Sequence, residues 1–76
     1  VVDNQKLADA FYYKSYRSEI NQDYSQAILY SKEAERLAMK TNNYRIQFKI
    51  AESLSYLNGL LKMIFFNFSM LKRLYY

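Results

Sequence analysis

The 76-residue sequence has no cysteine and no histidine. Together these absences remove a disulfide framework, a thiol nucleophile, a Cys/His zinc site and an imidazole general base. They also leave the redox compartment without a marker. Proline is absent and glycine occurs once, at Gly59, so the two residues that most often interrupt a helix are nearly missing. Acidic residues become scarce along the chain. Residues 1–43 balance six Lys/Arg against six Asp/Glu, whereas residues 44–76 set Arg45, Lys49, Lys62, Lys72 and Arg73 against Glu52 alone. The net charge of +4 therefore arises entirely in the second half. The first twenty residues lack the uninterrupted apolar run of a signal peptide, and a mature or excised soluble segment is expected, with the cytoplasm as its compartment.

What is present points to helices. Hydrophobic residues make up 51% of the chain, but nine Tyr and five Phe carry much of that share. At this length one domain with a marginal core is expected, because a small chain buries only about 60% of the surface its unfolded state exposes. A first helix is predicted from Asp3 or Asn4 to about Asn21, with a stripe of Leu7, Ala10, Phe11, Tyr13 or Lys14, and Ile20. Asp23 is placed to cap a second helix, with Gln26 as the reciprocal partner of a capping box. That helix runs from Tyr24 to about Lys40 and carries Tyr24, Ala27, Ile28, Ser31, Ala34, Leu37 and Ala38 on one side. Thr41-Asn42-Asn43 ends it, since Asn tolerates the left-handed conformation. A third helix follows from Tyr44 to Leu57, with Ile46, Phe48, Ile50, Ala51, Leu54 and Leu57. Asn58-Gly59 reads as a stop, and Leu60 to Tyr76 as a fourth helix.

A shift of 37 residues lays Phe11 on Phe48, Asn21 on Asn58, Tyr24 on Leu61, Ala27 on Ile64, Ser31 on Phe68 and Ala34 on Leu71. Two hairpins in phase, residues 3–40 and 44–76, are the pattern of a helical solenoid. The fold class expected is all-α, an antiparallel pair of helical hairpins with about four helices.

The stretch "AFYYKSYRSEINQDYSQAILYSKEAERLA" resembles a tetratricopeptide repeat. In that family a small residue of the first helix faces an alanine of the second, an aromatic opens the second helix and another alanine follows. Ser15, Ala27, Tyr24 and Ala34 occupy those places. The resemblance implies that the first two helices cross at Ser15 and Ala27. It extends over about residues 7–62, but the second unit departs from the pattern, with Glu52 and Ile64 at the small places and an unusually aromatic last segment.

The resemblance also implies a function, a non-enzymatic protein-interaction module. Its partner, a peptide or a helix, would lie along the inner faces of the first helices. By position those faces hold Asp9, Tyr12, Tyr16 and Glu19, then Lys49, Ser53 and Tyr56. The family's clamp for a peptide carboxylate is missing, since Tyr12 and Tyr16 stand at its basic and amide positions. Tyrosines at helical spacing also serve simply as packing against a neighbouring unit.

Other chemistries find less support. Asp3, Asp9, Asp23 and the Glu33/Glu35 pair sit at capping or solvent positions without clustering, so no enzyme, metal or cofactor is expected. The basic residues are too thin and lack a recognition motif, so nucleic acid is not expected as a partner. Residues 60–76 are apolar on every side, which suits burial against protein or, as an alternative, a membrane-surface helix anchored by its basic and aromatic residues. Such a segment on so small a domain also implies a homodimer, with Phe65, Phe68 and Leu71 among its contacts.

Overall fold

Asp3 starts the first helix by accepting from the backbone N–H groups of Gln5 and Lys6, at 3.1 and 3.2 Å. Two donors that a helix start leaves without partners are thereby satisfied. The computed structural model describes the backbone of residues 3–75 and the side chains of residues 3–67. Within that range every regular element is helical: α1 (Asn4–Ile20), α2 (Tyr24–Ala38) and α3 (Tyr44–Tyr75).

The turn from α1 to α2 is closed by backbone geometry. Gln22 N–H donates to Glu19 C=O at 2.9 Å and Asp23 N–H to Ser18 C=O at 2.8 Å, the paired bonds of a Schellman motif. The motif needs a left-handed residue, and Gln22 supplies it with φ 63°. Asp23 then caps α2 by accepting from Gln26 N–H at 3.2 Å. The reciprocal half of the expected capping box is not made, because the Asp23 N–H is already committed to Ser18.

The second turn works differently from the expectation. Among the described residues only Gln22 outside glycine has positive φ, so no asparagine closes α2 in a left-handed conformation. Side chains bind the loop instead. Thr41 Oγ1 donates to Ala38 C=O at 2.7 Å, Gln47 Nε2 donates to the carbonyls of Ala38 and Thr41, and Asn43 Oδ1 accepts from Ile46 N–H to cap α3.

α1 and α2 cross where Ser15 meets Ala27 and Ser31, all three fully buried. Ser15 Oγ donates to Ala27 C=O at 2.8 Å, and the two serine Oγ atoms are 2.5 Å apart. Ala8 and Ala34, also fully buried, keep the same interface thin. The buried face of α2 coincides with its predicted stripe. That of α1 does not: Ala8 and Ser15 are buried and Phe11 and Tyr12 pack against the core, while Leu7, Tyr13 and Ile20 are exposed. The close crossing selects the small residues of α1 and turns its larger aliphatic ones outward.

α3 brings the bulk, with Ile50, Leu54 and Leu57 buried. Burying such a side chain contributes about 1.5–3 kcal/mol, far more than an alanine can. The expected break at Asn58-Gly59 is absent, and α3 continues through it as one helix of 32 residues. There are thus three helices, and residues 44–75 do not double back as a second hairpin. Gly59 does not have positive φ, and a glycine inside a helix costs about 1 kcal/mol relative to alanine, too little to end one by itself. A straight α3 spans about 48 Å at 1.5 Å per residue, which accounts for the 57 Å long dimension of the molecule. Phe48 and Ala51, counted in the predicted stripe of this helix, are exposed.

Candidate functional groove

Both α1 and α3 pack on α2, and between their outer flanks runs a groove of about 380 Å³. Its walls follow from helical spacing. Tyr12, Tyr16 and Glu19 succeed one another at four and three residues on α1, and Lys49, Ser53 and Tyr56 do the same on α3, so each set forms one face. All six line the groove, and Glu52 joins them.

Tyr12 is half-buried and rests on the core, which fixes the floor. Lys49 reaches across from α3 with Nζ 4.8 Å from the centre of the Tyr12 ring, within the range of a cation–π contact. Tyr16 and Tyr56 stand higher on the two walls, 53% and 59% exposed. A smaller recess of about 200 Å³ adjoins the groove and is bounded by Tyr12, Tyr13, Tyr16 and Lys49. The lining therefore holds three phenol rings, one ammonium, two carboxylates and one hydroxyl. It offers flat apolar area with polar groups at its edges.

Asp9 is exposed on α1 and is not among the lining residues. Glu52 was not anticipated as a site residue, although it lies three residues after Lys49 and four before Tyr56, on the face that they define. Phe65 is exposed on the distal part of α3. Phe68 and Leu71, expected with it in an oligomer interface, have side chains outside the described residues.

The remaining carboxylates have other tasks. Asp3 and Asp23 are helix caps. Glu33 pairs with Arg36 at 2.5 Å on the open side of α2; the hydrogen bond from Arg36, and then its charge, hold the Glu33 carboxyl below its ordinary pKa. Among the described residues there is no group of three His, Cys, Asp or Glu side chains able to hold a metal ion, and no helix long and apolar enough to cross a membrane. No protein-family model matches this chain, and comparisons with curated proteins and with solved structures give no match.

Proposed function

We propose that this chain is a non-enzymatic protein-interaction module of tetratricopeptide type, which takes a peptide or helix of a partner protein into the groove between α1 and α3. The observation that carries this reading is the convergence of Tyr12, Tyr16 and Tyr56 from two helices on one groove, with Glu19, Lys49 and Ser53 beside them. Each ring offers a large contact area at little cost in side-chain freedom, and each hydroxyl offers a hydrogen bond. Glu19 and Glu52 on opposite walls favour a segment that carries at least one basic residue. The close crossing at Ser15, Ala27 and Ser31 supports the family reading, because small residues there are its mark in the sequence.

Selection of a displayed random-peptide library on the full chain tests this function. Enriched peptides are expected to bind the chain and to lose binding to the double variant Tyr16→Ala/Tyr56→Ala, whose exposed rings can be removed with helicity intact by circular dichroism. Enrichment that survives the double variant, or no enrichment at all, refutes the groove as the binding surface.

A second reading rests on the exposed Met63, Phe65 and Phe66 next to Lys62, a combination suited to the surface of an anionic membrane. Sedimentation with anionic liposomes at physiological salt separates the two, since the interaction module predicts no binding there.

A further inference from the structure

The groove between α1 and α3 carries its charges in a definite order. α2 returns the chain between these two helices, so they run in the same direction. The reach of Lys49 to Tyr12 sets their relative height. Toward the C-terminal ends, at 1.5 Å per residue, Tyr16 lies about 6 Å and Glu19 about 10.5 Å beyond Tyr12. Glu52 lies about 4.5 Å and Tyr56 about 10.5 Å beyond Lys49 on the other wall. The first level therefore sets a ring against an ammonium, and the next two set Tyr16 against Glu52 and Tyr56 against Glu19.

The first level is satisfied within the chain, with Lys49 Nζ 4.8 Å from the centre of the Tyr12 ring. The other two are not. Among the described residues no cation lies over Tyr16 or Tyr56, and neither Glu19 nor Glu52 is in an ion pair. A phenol face and a carboxylate both attract a cation, and each of these levels offers one of each. Two carboxylates against the Lys49 ammonium leave the lining with one negative charge to balance, which a single cation does.

We propose that this end of the groove seats one arginine of the partner segment, its guanidinium against Tyr16 and Tyr56 and its N–H groups on Glu19 and Glu52. The proposal rests on the reading of the groove as a peptide-binding surface. The exposure of the rings selects arginine over lysine. Tyr16 and Tyr56 are 53% and 59% exposed, and a strongly hydrated ammonium gains little by leaving water for so open a site. A guanidinium is weakly hydrated, stacks flat on a ring and forks its donors onto carboxylates. Lys49 sets the register, because its charge keeps the arginine away from the Tyr12 end. The net charge of the whole chain, +4, favours acidic peptides by long-range attraction. A preference for arginine has to come from the groove itself.

The displayed peptide library is to be selected in parallel on the full chain, on Glu19→Gln/Glu52→Gln and on Glu35→Gln, whose carboxylate is exposed on α2. Peptides enriched on the full chain and on Glu35→Gln are expected to share an arginine. On Glu19→Gln/Glu52→Gln that preference should vanish with helicity by circular dichroism unchanged. The peptide most enriched on the full chain is then synthesised with arginine, lysine or citrulline at the shared position, citrulline keeping the shape without the charge. Calorimetric titration of the full chain should give binding weaker by at least about tenfold for citrulline and about threefold for lysine. In Glu19→Gln/Glu52→Gln, arginine and citrulline should differ by less than about threefold. Peptides that need Tyr16 and Tyr56 but share no arginine, or that bind as well with citrulline or lysine, overturn the arginine site and leave the groove as a peptide-binding surface. No enrichment, or enrichment that survives Tyr16→Ala/Tyr56→Ala, overturns both.

Discussion

Ser31 donates its hydroxyl hydrogen to Ser15. The two Oγ atoms are 2.5 Å apart, and Ser15 spends its own hydrogen on the Ala27 carbonyl 2.8 Å away, so only Ser31 can be the donor between them. The crossing of α1 and α2 thus holds a directed chain of hydroxyls, and no buried side-chain polar atom lacks a partner among the described residues.

Removing one hydroxyl should cost more than removing both would suggest. Ser15→Ala is expected to destabilise the fold by about 1 kcal/mol, since Ser31 can recover only part of the loss by turning to the Ala27 carbonyl four residues back. Ser15→Ala/Ser31→Ala leaves no orphaned side-chain group, and its cost should be smaller than the sum of the two single changes. Urea denaturation of the four proteins measures the coupling.

At the same crossing, Ala27→Leu inserts three carbons where Ala27 is fully buried. A loss of about 1–3 kcal/mol is expected, against a nearly unchanged urea midpoint for Glu35→Leu on the exposed side of α2.

Gln22, exposed, holds the left-handed position of the first turn. Replacing it with glycine relieves a conformational cost of about 1–2 kcal/mol but gives the unfolded chain more freedom. Gln22→Gly should therefore raise the thermal midpoint, and a lowered midpoint would contradict the turn geometry described above.

The continuity of α3 has its own test. Proline at position 59 would be tolerated in a loop, but inside a helix it removes a hydrogen bond and clashes with the preceding turn at about 3 kcal/mol. Gly59→Pro should lower the helical circular dichroism signal markedly, whereas Gly59→Ala should raise it slightly.

Acid should dissolve the Glu33–Arg36 pair. The pKa of Glu33 is lowered in the folded chain, so its contribution is present above the ordinary glutamate value and is lost as pH falls through the lowered one. Arg36 is shifted upward and stays charged throughout. As pH falls below the ordinary glutamate range the native chain should lose more stability than Glu33→Gln, by a small margin because the pair is exposed and screened by salt.

How far the sequence could be read depended on which force governed each helix. α2 was legible because its apolar stripe is also its packing face, so a periodicity of 3.6 found Ala27, Ile28, Ser31, Ala34, Leu37 and Ala38 together. α1 obeys a different demand: the crossing needs Ala8 and Ser15, and size-ranked hydrophobicity points instead to Leu7 and Ile20, which are exposed. Asn58-Gly59 has the local propensity of a stop, but a cost of about 1 kcal/mol does not end a helix without a competing conformation. Six of the seven residues that line the groove stand at the inner-face positions that the tetratricopeptide resemblance implies, and Glu52 does not. Asp9 sits one turn too early to reach the lining.

The two connections, residues 21–23 and 39–43, leave each helix packed on its neighbour in sequence. Only short loops must therefore close, and each closure costs little chain entropy. Such locally connected helical proteins fold in microseconds to milliseconds. Assembly can proceed by addition, with α1 closing on α2 through the Schellman turn and α3 docking its Ile50, Leu54 and Leu57 afterwards. The turn of α3 that follows Leu61, with Lys62 to Asn67 exposed, then adds length to the molecule without slowing its formation.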